Sequence, residues 1–142
     1  MLYFDTSFVA PLLMQEETSV KVERFFARLK AGELAVSQWT LVEFSSLLAR
    51  EVRMGGLESG AAARIDNEFI SLIGASFVIL PVDGRDFRLA RSFVQKYASG
   101  LRAGDALHLA VCSNNKVKTV YSLDKRFVEA GRMLSLPTSH GI

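Results

Sequence analysis

Four acidic residues stand where a parallel sheet would gather them. Asp5 follows the apolar run Leu2-Tyr3-Phe4, and Glu43 lies in Leu41-Val42-Glu43-Phe44, within a turn or two of the run Leu34-Ala35-Val36-Ser37. Asp105 opens the segment Asp105-Ala106-Leu107-His108-Leu109-Ala110, and Asp124 comes two residues after Thr119-Val120-Tyr121-Ser122. If those apolar runs are neighbouring strands, their exits share the edge at which open α/β sheets bind ligands. Carboxylates brought together there cannot all stay ionised unaided, because a pair ~4 Å apart repels by ~4 kcal/mol at an effective dielectric of ~20. Hard divalent cations relieve that repulsion, and Mg2+ characteristically takes a few carboxylates, several waters and substrate phosphates. The pattern therefore points to Mg2+ or Mn2+ activating water against a phosphodiester. Zinc is disfavoured, since the chain has one cysteine and no paired histidines.

Taken singly, each acid has a structural explanation. Asp5, Asp105 and Asp124 all stand where an N-cap or first-turn carboxylate stabilises a helix by about 0.5–2 kcal/mol. Glu43 fits less well as a solvated helix residue, because its neighbours are apolar and an unpaired carboxylate among them is costly. It is the coincidence of the four that argues for chemistry. His108, three residues after Asp105, reads as a core or carboxylate-orienting histidine before it reads as a general base. Trp39 reads as core or interface, and Cys112 as a small buried hydrophobe.

Cations surround these positions. Arg85, Arg88 and Lys96 share the polar face of one helix, with Arg91 beside it; Arg102 precedes Asp105 by three, and Lys125-Arg126 follow Asp124 directly. Such residues grip phosphates. For the helix the alternative is an ordinary solvated face with Asp83 and Asp86 nearby, and the sequence leaves both readings open.

The elements that must position these groups follow from hydrophobic periodicity. Strands are expected at Leu2–Phe4, Leu34–Ser37, Phe77–Leu80 and Thr119–Ser122, with a fifth at Met133–Leu136. Between them run helices: one starting at Asp5-Thr6-Ser7, one with Val22, Phe25, Phe26 and Leu29 inward and closed by Gly32, and a hairpin of two more. The hairpin helices carry Leu41, Phe44, Leu48 and Val52, ending at Gly55-Gly56, and Ala62, Ile65, Phe69, Leu72 and Ile73, ending at Gly74. A further helix buries Phe87, Ala90, Val94 and Tyr97, another spans Asp105 to Cys112, and a short one Asp124 to Ala130. Apolar strands alternating with helices imply an α/β fold with a mostly parallel sheet covered on both faces.

The chain has 142 residues, 49% hydrophobic and 23% charged, which suits one globular domain over residues 1–142 and excludes disorder. The formal net charge of +2 does not by itself announce a polyanion binder. That sum conceals its distribution, because four of the acids are assigned to one site. A lone cysteine, the absence of a basic leader before Asp5 and the lack of a long apolar run suggest a cytoplasmic protein with no membrane segment.

Asp5-Thr6-Ser7, Glu43 in its apolar setting, Gly104-Asp105-Ala106-Leu107-His108-Leu109-Ala110 and Ser122-Leu123-Asp124-Lys125-Arg126-Phe127 together closely resemble the PIN-domain nucleases, most nearly the VapC toxins of toxin–antitoxin modules. The resemblance runs the length of the chain in order and spacing. It implies a three-layer α/β/α sandwich with about five strands and a Mg2+- or Mn2+-dependent endoribonuclease. Residue by residue, Asp5, Glu43, Asp105 and Asp124 match the acidic quartet. Asp5 and Asp105 would be the main metal ligands, while Glu43 and Asp124 bind a second ion or orient water. Ser7 and Ser122 match supporting hydroxyl positions. The resemblance further implies structured RNA as substrate, transfer RNA first, cut to a 5′-phosphate and a 3′-hydroxyl. It also implies a small VapB-like antitoxin whose disordered tail covers the site, and a homodimer contacting through the apolar helices after Glu43. Because water is the nucleophile, single-stranded DNA is not excluded as a substrate. Two other classes fit parts of the pattern: a catalytically silent RNA- or antitoxin-binding module on the same fold, and an aspartyl-nucleophile phosphatase with Asp5 at its first strand end.

Overall fold

All five strands pair in parallel, so every connection between neighbours has to cross a face of the sheet. The computed structural model describes residues 1–142. Strands β1 (Leu2–Phe4), β2 (Leu34–Ser37), β3 (Val78–Leu80), β4 (Thr119–Tyr121) and β5 (Thr138–Ser139) lie in the order β3-β2-β1-β4-β5. The crossovers are built from α1 (Thr6–Val9), α2 (Ser19–Phe26), α3 (Gln38–Arg53), α4 (Ser59–Ser76), α5 (Gly84–Val94), α6 (Ala103–Asn114) and α7 (Lys125–Met133). The chain fills the β2–β3 side of β1 first and then returns to the β4–β5 side. The strand order therefore reverses between β1 and β4, which makes the carboxyl ends of those two strands the switch point.

The period-2 alternation of the strands divides the interior into two cores. Tyr3, Ala35, Leu80 and Val120 point to one face and pack on α5, α6 and α7 through Ala90, Phe93, Leu109 and Phe127. Phe4, Leu34 and Val36 point to the other, onto Phe8, Val22, Phe44, Leu48, Phe69 and Ile73 of α1 to α4. The result is the expected α/β/α sandwich. Phe4 is fully buried, with the rings of Phe8, Phe25, Phe26, Phe77 and Tyr121 all within 6.3 Å of its own. The rings of Phe44 and Phe69 stack at 3.8 Å and tie α3 to α4 as the helical hairpin. No helix is long and apolar enough to cross a membrane.

Several details differ from the sequence expectation. The fifth strand is Thr138–Ser139, not Met133–Leu136: Met133 completes α7 and is 59% exposed, and Ser135 turns the chain at φ 58° before Pro137 accepts from Val120 N. Thr138 fits there because residue 131 is glycine; a Cβ at Gly131 would stand 2.8 Å from Thr138 Oγ1. The buried face of α5 is Asp86, Ala90 and Phe93, while Phe87 is 58% and Tyr97 85% exposed. A search for apolar periodicity cannot see Asp86 as core. Its burial is made tolerable by hydrogen bonds from Asp83 N at 2.9 Å and Asn114 Nδ2 at 2.8 Å. Helix α4 runs through Gly74 to Ser76, and α2 stops at Phe26, well before Gly32, whose φ of 89° serves the turn into β2. Strands β3 and β4 are each one residue shorter than expected, at Phe77 and at Ser122.

Because Phe69 holds the α3–α4 hairpin from a fully buried position, Phe69→Ala should cost about 3–5 kcal/mol. A urea titration monitored by circular dichroism checks this, and a loss below about 1 kcal/mol would mean the hairpin repacks around the gap.

Candidate active site

Asp5 is the first residue past β1, and burial pushes its carboxyl above the ordinary range. Donors surround it. Ser122 Oγ gives Oδ2 a hydrogen bond at 2.6 Å, while Ser7 Oγ at 2.7 Å and Phe8 N at 3.1 Å serve Oδ1. The Phe8 contact makes Asp5 the N-cap of α1 as well. The same two serines accept from the chain leaving β4, Ser7 from Leu123 N and Ser122 from Asp124 N, both at 3.0 Å. Each hydroxyl thus spends its proton on Asp5 and its lone pair on the β4–α7 connection, locking the two strand ends of the switch point together.

Asp124 is exposed, and its Oδ1 caps α7 through Arg126 N at 2.8 Å and Phe127 N at 3.4 Å. The N-cap explanation of Asp124 is correct as geometry, and it leaves Oδ2 facing outward. Asp105 is the third residue of α6 and half-buried. Its carboxyl is pushed up to about 6, first by burial and further by the charges of Asp5, Asp124 and Glu43, against the opposing pull of His108. The other three acids of the sequence reading therefore all bear on Asp105.

Glu43, in the second turn of α3, is tethered from two sides. Thr6 Oγ1 donates to its Oε1 at 2.6 Å, and His108 Nε2 makes a short contact with the same oxygen. Burial raises the Glu43 carboxyl, but His108 and Thr6 together outweigh that and leave it below its ordinary value. His108 is itself buried, its Nδ1 2.6 Å from the Tyr3 hydroxyl, which donates to Ser37 Oγ at 2.8 Å. The histidine is thus both a core residue and a carboxylate-orienting one, as its position three residues after Asp105 suggests. Thr6 and Tyr3 escaped the sequence reading. Thr6 lies inside Asp5-Thr6-Ser7 and carries a signal in hindsight; Tyr3, in an apolar strand, carries none. Gly104 presses close as well, since a Cβ there would stand 3.1 Å from Glu43 Oε2 and 3.5 Å from the Trp39 indole.

The donor set is carboxylate oxygen, with no thiolate in it, which suits a hard cation. No three side chains of His, Cys, Asp or Glu are drawn together as a ready-made ligand cage. Asp105 is raised first by burial and further by its acidic neighbours, a cost that a cation bound beside it would relieve. The residues fit a divalent cation bound partly through water and substrate. Among the candidate cations, Lys125 and Arg126 occupy the first turn of α7 beside Asp124, and Arg102 is the N-cap of α6. All are exposed, as are Arg88, Arg91 and Lys96. Arg85 is drawn back onto Asp83 at 3.1 Å and Lys96 lies beyond the end of α5, so the cationic stripe expected on that helix is less continuous than its spacing implied.

The profile of the PIN domain family matches residues 2–133. The chain belongs to the PIN domain family. Among solved structures, Mycobacterium tuberculosis VapC20, described as a sarcin–ricin loop cleaving toxin, superimposes with a TM-score of 0.74 at 19% identity, over 92% of this chain and 95% of that one. A toxin–antitoxin complex from Klebsiella pneumoniae gives a TM-score of 0.69 at 14% identity, over 100% and 98% of the two chains. VapBC2 from Rickettsia felis, bound to a promoter DNA fragment, gives 0.68 at 11% identity, over 98% of each. At these identities the likeness is one of fold, and this PIN domain is VapC-like in that sense. No curated protein sequence matches it.

The charge imbalance at Asp105 has a thermodynamic consequence. A carboxyl whose folded pKa lies above its unfolded value binds its proton more tightly when folded, so stability falls as pH rises from about 3.8 through about 6. Asp105→Asn should therefore raise the metal-free melting temperature of this PIN domain at pH 7.5, with the gain shrinking as the pH falls toward 4. Melting curves in EDTA across that range check it; a pH-independent difference would assign the effect to something other than the carboxylate.

Proposed function

We propose that this PIN domain is a Mg2+- or Mn2+-dependent endoribonuclease, the toxin of a toxin–antitoxin pair, acting on structured RNA in the cytoplasm. What carries the reading is the presence of Asp5, Glu43, Asp105 and Asp124 around the β1/β4 switch point of a PIN fold, close enough for the other three to raise Asp105. When bound, a divalent cation supplies Lewis-acid polarisation of the phosphoryl group and lowers the pKa of water. Asp5 and Asp105 would hold the cation. Ser7 and Ser122 fix both oxygens of Asp5, so that its lone pairs keep one direction. Thr6 and His108 fix Oε1 of Glu43 and leave Oε2 beside Gly104 without a hydrogen-bond partner, and Glu43 and Asp124 would orient water or a second cation. Lys125, Arg126 and Arg102 would take flanking phosphates, with Arg88 and Arg85 of α5 further out.

An aspartyl nucleophile at position 5 suits the geometry less well, because both its oxygens already accept hydrogen bonds and the second acid of such enzymes is here Ser7. The toxin–antitoxin structures of the same fold support an antitoxin partner, and the sarcin–ricin loop cleaving relative supports a structured RNA substrate. Homodimer contact through the helices after Glu43 is supported by the exposed side chains of Met54 and Ile70.

Asp5→Asn and Asp105→Asn should each lower RNA cleavage in Mg2+ or Mn2+ by about 100-fold or more, the scale expected when a group acting at the reacting centre is removed. Sequencing of RNA ends after brief expression, wild type beside Asp5→Asn, should reveal variant-sensitive cuts bearing 5′-phosphates. Cleavage that persists in both variants, or the absence of any, overturns the reading. Mn2+ should also raise the melting temperature of the wild type at pH 7.5 and leave that of Asp105→Asn nearly unchanged. Equal shifts in both would place the cation elsewhere.

A further inference from the structure

Helix α3 carries two arginines that the acidic quartet does not use and that nothing on the protein neutralises. Arg50 and Arg53 are exposed, and the ion pairs present are Arg85 with Asp83 and His108 with Glu43. Both arginines line a shallow groove of about 390 Å³ along α3, together with Trp39, Val42, Glu43, Ser46 and Leu47 of the same helix. Glu43 is the only acid in that lining, and it is the one residue the groove shares with the candidate active site. Positions 43, 46, 50 and 53 recur every three or four residues, so they form a single stripe along the helix. From Glu43 to Arg53 the stripe covers ten residues, about 15 Å of helix axis.

We infer that this groove is a track for the RNA backbone, in which Arg50 and Arg53 hold the phosphates next to the one that is cut. The inference rests on the nuclease reading and adds a direction to it: the strand leaves the carboxylates along α3. Electrostatics select the occupant. Two unpaired guanidiniums on the helix that carries Glu43 complement a chain of phosphates, and a guanidinium fork can give a phosphate two parallel hydrogen bonds. Ser46, between Glu43 and Arg50, adds a hydroxyl donor of the kind that fixes backbone register. Arginine in the last turn of a helix also stabilises its dipole. That structural role predicts an effect on melting temperature, whereas a phosphate track predicts an effect on RNA.

The test compares the wild type, the double variant Arg50→Gln/Arg53→Gln, the conservative Arg50→Lys/Arg53→Lys and a charge-matched control, Lys21→Gln/Arg24→Gln on α2. Affinity for a fluorescein-labelled single-stranded RNA is read by anisotropy in EDTA over a range of salt. The glutamine pair should weaken binding about tenfold at low salt and reduce the slope of log K against log salt by about 1.4, near 0.7 per lost phosphate contact. The lysine pair should keep most of the slope, and the control should match the wild type. In Mn2+, cleavage of the long RNA should suffer in KM while a dinucleotide is cut as before. Unchanged affinity and slope overturn the track, whether the glutamine pair then shows only a lower melting temperature or only altered self-association by sedimentation. Should the wild type bind RNA, the glutamine pair weaken that binding as expected, and neither ever cut, the nuclease reading fails and the groove stands only as an RNA-backbone binding site. Should Asp5-dependent cutting proceed with unchanged affinity in the glutamine pair, the track fails and the nuclease reading stands.

Discussion

A carboxylate buried at the end of a central strand is the constraint from which the rest of the site follows. Asp5 loses its water because β1 is flanked on both sides and capped by α1, and an ionised group there is costly unless its oxygens are occupied. The chain meets that demand with Ser7, Ser122 and the Phe8 amide. Because those serines also accept from Leu123 N and Asp124 N, satisfying Asp5 fixes where the chain must run after β4. The position of Asp124 is thus a consequence of how Asp5 is solvated by protein. Strand order, cap and site geometry are one arrangement viewed at three scales.

The remaining acids are treated in opposite ways. Glu43 is held below its ordinary pKa by a threonine and a histidine, and that histidine is anchored through Tyr3 to Ser37 at the end of β2. It is charged and fixed in place. Asp105 is pushed up to about 6 by burial and by its acidic neighbours, so near neutrality it is ionised at a cost. A site that combines fixed, satisfied carboxylates with a strained one has its geometry set in advance and its charge balance left open. A bound cation would complete it electrostatically without moving its walls, which is what preorganisation requires.

The first four strands, and acids at or after several of their exits, were legible in the sequence because both are signalled by residue type at a spacing. Leu34–Ser37 is apolar throughout, and an acid after each of several strand exits is a pattern no single cap produces. What was not legible has a common cause. Asp86 occupies a core position because Asn114, distant in sequence, satisfies it; β5 pairs through Thr138, where Gly131 makes room; and Tyr3 matters for its hydroxyl, not its ring. Each is a polar group made tolerable by a partner that only the fold brings near. Apolar periodicity records which residues avoid water and is silent about which polar ones have been compensated.

The same reasoning bears on the net charge. A value of +2 is a sum over the whole chain, and summing discards where the charges lie, which is the information a polyanion would use. Arg85 shows how a cation is withdrawn from the surface, being folded back on Asp83. Arg50 and Arg53 show the contrary case, exposed and unpaired along a helix whose buried face holds the core and whose second turn holds Glu43. An arginine without a partner keeps its full field, and in a groove that field is focused toward whatever enters. A negatively charged strand approaching the carboxylates would otherwise be repelled by them. Unneutralised cations about two and three turns from Glu43 would offset that repulsion before any metal is involved, so one helix would serve both the approach to the site and its chemistry.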